Sequence, residues 1–145
     1  MLLKILAVGK LKDRAVQARC DEYARRIGAY GKLEVCLLPD STVAGEGAAF
    51  ARALDRERGA AVIALSEEGR EYTSMEFARK LGALDRKAVF LIGGPFGLAP
   101  EIRHRADELW SLSRLTFPHE IARLLLYEQL FRALNILHGG GYHNP

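Results

Sequence analysis

Five apolar residues without a polar break, Ala88 to Ile92, run straight into Gly93-Gly94-Pro95-Phe96-Gly97, and Pro100 follows where a helix could begin. A run that short and that apolar suits a strand buried on both faces, as in a parallel α/β sheet. Proline suits the first helical position because its missing N–H would be unpaired there anyway. The stretch therefore reads as strand, tight loop and helix start. Open α/β sheets take ligands at the carboxyl ends of their strands, where glycines permit positive φ or close approach of a ligand. The loop is the candidate site, with a glycine-rich turn that holds nothing as the alternative. It carries neither G-x-G-x-x-G nor Gly-Lys-Ser/Thr, and Pro95 has no N–H to offer, which argues against a nucleotide held by its triphosphate.

The rest of the chain fits that sheet. Leu2 to Val8 and residues 33–38 read as strands, joined by a helix over 13–29 whose Val16, Cys20, Tyr23 and Ile27 share one face. Residues 41–47, polar and glycine-containing, are expected to form a flexible loop. A short helix through Phe50, Ala53 and Leu54 precedes a third buried strand over 61–65, and 65–69 is a second strand-end loop. Thr73-Ser74-Met75-Glu76 fits a capping box opening a helix to about Leu84. A short helix over 101–106 and a strand over 109–113 follow. This alternation predicts a parallel α/β sheet in one domain, residues 1–145, a length that supports one core and not two.

The last helix, from Pro118 or His119 to about His138, carries Leu124, Leu125, Leu126, Leu130, Phe131, Leu134 and Leu137, too many for one face. A helix apolar almost all round is buried on two sides, either by a second subunit or by a thick core. No apolar run reaches the roughly 20 residues of a membrane span, and the N-terminus is too quickly interrupted by charge for a signal peptide, so a cytoplasmic protein is expected. Cys20 and Cys36 lack metal-ligand spacing and read as buried thiols, and no metal site is expected. The first 32 residues hold eight Lys or Arg against three acids. Lys10, Lys12, Arg14 and Arg19 are thus candidates for RNA contact, a solvated helix face being the alternative.

The run LIGGPFGL, then WSLSRLTFPHE with its helix, then a terminal Tyr-His, resembles the RlmH family of SPOUT-class methyltransferases, which methylate pseudouridine in large-subunit ribosomal RNA. ILAVGK and the helix containing DEYARRI resemble the family's N-terminal part, so the likeness spans nearly the whole chain. It implies an α/β fold with a C-terminal trefoil knot, S-adenosylmethionine bound in the knot, and a homodimer acting on assembled ribosomes. Knots are too rare to be read from sequence physics.

Carried over by the resemblance, the cofactor site combines Leu65, Gly94 and Ser113, Arg114, Leu115, Thr116, Phe117 and Pro118. Tyr142 and His143 match the family's catalytic tail, and His119 its Leu-Pro-His pattern, with a role in site architecture or RNA contact. Transfer needs the donor methyl in line with N3 of pseudouridine and the N3 proton removed. A histidine, ordinarily titrating at about 6.5, makes His143 the candidate base, and Tyr142 a hydrogen-bonding or stacking partner. The tail departs from the family: Gly139-Gly140-Gly141 stands in place of Asn-x-Pro, and Asn144 in place of a following cation. Arg103 and Arg105 are candidates to compensate. Two alternatives stay open: a knotted RNA-binding protein with little transfer, and methylation of another RNA nucleotide.

Overall fold

The computed structural model describes all 145 residues. Ten elements follow one another: β1 (Leu2–Val8), α1 (Arg14–Ile27), β2 (Lys32–Leu38), α2 (Val43–Leu54), β3 (Ala61–Glu71), α3 (Ser74–Gly82), β4 (Ala88–Ile92), α4 (Pro100–Arg105), β5 (Glu108–Ser111) and α5 (His119–Leu137). The strands form one parallel sheet in the order β2-β1-β4-β3-β5. β4 lies at its centre with all five residues buried, as an uninterrupted apolar run requires.

A core covers each face of the sheet. On one, Ile5, Ile63, Phe90 and Trp110 meet Val16, Cys20, Tyr23 and Ile27 of α1, Phe77, Ala78 and Leu81 of α3, and Leu126, Leu130 and Leu134 of α5. On the other, Leu6, Val62, Val89 and Leu91 meet Ala49, Phe50 and Leu54 of α2 and Ile102 of α4. Consecutive strand residues alternate between the cores because side chains on a strand point to opposite faces. α5 packs on both α1 and α3, so much of its double burial arises within one chain. Leu124 and Leu125 are half-buried, while Ile121 and Leu137 remain exposed.

Local chemistry sets the element ends. Asp13 accepts from the amides of Ala15 and Val16 and starts α1, and Thr73 and Glu76 form the expected capping box at α3. Residues 41–47 are not a flexible loop: α2 begins at Val43. The Thr42 hydroxyl accepts from the Gly45 amide at 3.0 Å, and Glu46 reaches back to the Ser41 amide at 3.0 Å, an arrangement akin to a capping box. Gly47 serves a close approach of helices, since a Cβ there would stand 2.9 Å from that of Ala99. β3 does not end at Leu65. The chain shifts register between Leu65 and Arg70, and pairing with β5 then resumes, Leu65 and Arg70 both standing opposite Trp110. Of the two cysteines only Cys20 is buried; Cys36 is half-buried on the edge strand.

Candidate functional site

The register shift in the middle of β3 and the carboxyl ends of β4 and β5 converge on one cavity of about 310 Å³. Its walls are Leu65 to Glu67 from β3, Ile92 to Leu98 at and after β4, Leu112, Ser113 and Leu115 to Phe117 after β5, and His119 and Ala122 from the first turn of α5. The volume lies at the small end of ordinary ligand sites.

The β4 wall is shaped by backbone. The Gly97 amide donates to the Gly94 carbonyl at 3.0 Å, closing a four-residue turn with Pro95 second and Phe96 third. No residue other than glycine has positive φ, so Phe96 fits the third position of a type I turn and not a type II. Gly97 takes φ +81°, and a Cβ on Gly93 would stand 2.7 Å from the Gly97 carbonyl carbon. Gly93 and Gly97 therefore serve the loop's own folding, and Phe96 is left 85% exposed at its tip. Serine hydroxyls shape the β5 wall. Ser111 donates to the Ser113 carbonyl at 2.8 Å, ending the strand at Ser111, and Ser113 accepts from the Leu115 amide at 3.0 Å.

The first turns of α5 are fastened to the loop after β1. Glu120 accepts from the amides of Lys12 and Asp13 at 3.0 and 3.2 Å. Arg123, 2% exposed, donates through Nη2 to the carbonyls of Val8 and Gly9 at 2.9 and 2.8 Å. Burial lowers its guanidinium below the usual arginine value, and its Nε has no partner. Neither residue stood out in the sequence, although an arginine inside the run IARLLLY was a visible signal.

Of the residues expected to bind a cofactor, Leu65, Gly94, Ser113, Leu115, Thr116 and Phe117 line the cavity, and His119 joins them. Arg114 points away, its side chain 81% exposed and paired with Glu71 at 2.6 Å, and Pro118 sits outside the lining as the residue that precedes α5. Lys10, Lys12 and Arg14 are exposed beside the Glu120 clamp and form no ion pair. Arg103 pairs with Glu68, and Arg105 with Asp55 at 2.6 Å, so both expected RNA contacts are engaged by carboxylates.

Tyr142 and His143 do not reach the cavity of their own chain. They pack on a platform made by α1 and the second half of α5. The Tyr142 phenol donates to Glu128 Oε1 at 3.0 Å and lies 3.4 Å from the Tyr23 hydroxyl; its ring stands edge-on to Phe131 at 4.8 Å. Arg132 covers that ring at 4.7 Å, binds Glu128 through Nε at 2.9 Å and approaches His143 Nδ1 at 3.1 Å. Arg19 and Arg26 stack on Tyr23 from α1. Asn135 orders the glycine segment, its side chain accepting from the Tyr142 amide at 3.0 Å and its carbonyl from the Gly140 amide at 2.8 Å. The tail thus has an arginine beside it despite Asn144.

A family profile described as "Predicted SPOUT methyltransferase" matches residues 1–143. The ribosomal RNA large subunit methyltransferase H of Gloeobacter violaceus is 41% identical over 99% of both chains, and that of a Synechococcus strain is 45% identical over 97% of this chain and 93% of its own. Among solved structures, a probable methylase family protein from Haemophilus influenzae superposes with a TM-score of 0.58 at 17% identity, covering 99% of this chain and 70% of that one. The SpoU methyltransferase AviRb of Streptomyces viridochromogenes, solved with AdoMet, does so with 0.53 at 15% identity, over 97% of this chain and 59% of its own.

Proposed function

The chain belongs to the SPOUT methyltransferase family, and on that footing we propose that it is an S-adenosylmethionine-dependent methyltransferase that modifies N3 of a pseudouridine in large-subunit ribosomal RNA, on assembled ribosomes and as a homodimer. The observation that carries this reading is the convergence of the β3 register shift and the loops after β4 and β5 on one cavity, with the Tyr-His tail held apart from it. Residues 112–118, leading from the sheet edge back over its centre, are the stretch that would thread a knot. A ribosomal substrate also supports a cytoplasmic location.

The cavity fits the donor's chemistry. Leu65, Ile92, Leu98 and Phe117 offer apolar walls for a purine, and the backbone and hydroxyls of Ser113 and Thr116 offer polar contacts for its edge and ribose. Bound there, the sulfonium supplies an electrophilic methyl group. The chain's own work is to exclude water and fix the direction of approach, where most of the acceleration can arise. Since the tail does not meet this cavity in its own chain, the site is composite: one subunit holds the cofactor and its partner brings the tail and part of the RNA contact. Lys10, Lys12 and Arg14, unpaired and fixed beside α5, supply phosphate contacts, whose affinity falls with salt.

Transfer of a labelled methyl group to ribosomes lacking the modification tests this directly. Incorporation into particles carrying pseudouridine, and none into particles carrying uridine there, is expected. Cofactor binding with no incorporation into either would overturn the substrate and leave an RNA-binding role.

A further inference from the structure

Two histidines near the C-terminus have Nδ1 in opposite surroundings. His138 Nδ1 lies 2.8 Å from the Leu134 carbonyl, which only accepts, so this nitrogen carries the proton. His143 Nδ1 lies 3.1 Å from Arg132 Nη1, and a guanidinium only donates, so this nitrogen is bare and the ring's proton is on Nε2. Arg132 is itself fixed by Glu128, which it meets through both Nε and Nη2. Glu128 also accepts a hydrogen bond from the Tyr142 phenol. The Tyr142 phenol is held above its ordinary pKa by burial and by hydrogen bonds to Tyr23 and Glu128, so it stays protonated and committed to the platform.

We propose that His143 acts on the substrate as an N–H donor through Nε2 and not as a general base, that Arg132 is the positioning residue which fixes this tautomer, and that Tyr142 is an anchor. The proposal rests on the functional reading above. To accept the N3 proton at Nε2, the ring would have to move its own proton to Nδ1, directly against an Arg132 N–H. A donor helps in another way. Loss of the N3 proton spreads negative charge onto the two carbonyl oxygens flanking N3, and a fixed N–H aimed at one of them stabilises that anion. In the balanced step the donor's sulfur–methyl bond breaks, a methyl–N3 bond forms, the sulfonium becomes a neutral thioether, and the N3 proton leaves to water. Arg132 is the charged group in contact with His143, and the charged and titratable groups of the platform that carries them are Arg19, Glu22, Tyr23 and Arg26 on α1, Glu128 on α5, and Tyr142. None of them is a carboxylate at Nδ1, the arrangement that would favour a histidine base.

Nitrogen-15 NMR of the imidazoles in the intact wild-type protein tests the assignment without turnover. His138 is expected as the Nδ1–H tautomer and His143 as the Nε2–H tautomer, the latter becoming mixed in Arg132→Gln. An Nδ1–H ring at His143 would overturn the proposal. In methyl transfer, His143→Gln keeps an N–H near the Nε2 position but cannot serve as a base. It should retain activity within about tenfold of wild type, while His143→Ala falls ~100-fold. Equal losses in the two would defeat the donor role. So would a break in the wild-type pH profile of kcat/KM near the ordinary histidine value of about 6.5 that disappears in His143→Ala. Absence of transfer by the wild type would count against the functional reading, and the NMR result would still decide the tautomer.

Discussion

The cavity and the tail platform are built in opposite ways on the two halves of α5. The cavity is made of backbone turns and apolar or hydroxyl side chains, with glycines closing its loop. The platform is made of arginines, carboxylates and aromatic rings joined by hydrogen bonds and cation–π contacts. A shape-defined pocket suits a heterocycle that must be freed of water, whereas a charged aromatic surface suits a nucleobase and its phosphates. On the proposed function the two halves divide the labour between binding the donor and presenting the acceptor, so variants in each should separate on cofactor affinity.

The largest effect is expected from Gly93→Val, whose side chain cannot coexist with the Gly97 carbonyl group. Calorimetry should show cofactor binding weakened at least ~100-fold, with the tail's NMR signals unchanged and a stability loss of about 2 kcal/mol. Glu128→Gln should do the reverse, losing roughly tenfold in turnover at unchanged cofactor affinity, because it weakens the hold on Tyr142 and Arg132. If both variants lose cofactor affinity, the division fails.

A smaller effect concerns pH. The Tyr142 phenol is shifted upward by burial first and then by its bonds to Tyr23 and Glu128. An acid with a raised folded pKa favours the folded arrangement below its unfolded value of about 10 and loses that contribution as pH rises through the folded one. The tail's amide signals should therefore broaden on the alkaline side of pH 10, and not in Tyr142→Phe, which has no proton to lose.

The smallest effect lies at the other end of the sheet. Burial alone would raise the Glu57 carboxyl, but Lys4 at 2.6 Å and Lys87 at 3.1 Å outweigh it and hold it below its ordinary value. A lowered carboxyl stabilises above its unfolded pKa of about 4.3 and stops doing so as pH falls. Glu57→Gln should cost about 1 kcal/mol or less in urea unfolding at pH 7, less still at pH 3, and should leave methyl transfer unchanged.

Much of this was legible in sequence where the determinants are local. The unbroken apolar run of β4, the Thr73–Glu76 cap and the helical spacing of Val16, Cys20, Tyr23 and Ile27 each depend on neighbours a few residues away. The start of α2 was hidden because two glycines stand in its first turns, Gly45 lying against Ser41 and Thr42 at the cap and Gly47 answering to packing at the start of α4. The Ser66–Gly69 register shift depends on β5, some forty residues later. In the site, the β4 loop could be placed by the strand-end rule. The β5 segment entered through family resemblance, and its members split, with Ser113 and Leu115 to Phe117 facing the cavity and Arg114 turned to Glu71. Arg123 and the Glu128–Arg132 platform could not be read, because their partners lie 115 residues upstream or in the folded-back tail.

The central claim, that a cavity and a tail held apart within one chain work together across two, is tested most directly by mixing inactive subunits. Gly93→Val lacks a cavity but keeps its tail, and His143→Ala keeps its cavity but lacks the acting ring. Co-refolded in equal amounts, half of random dimers are mixed and each has one intact composite site, so roughly a quarter of wild-type methyl transfer should return. No recovery, with mixed dimers demonstrated, would mean that each cavity uses its own tail, and the composite site would be wrong.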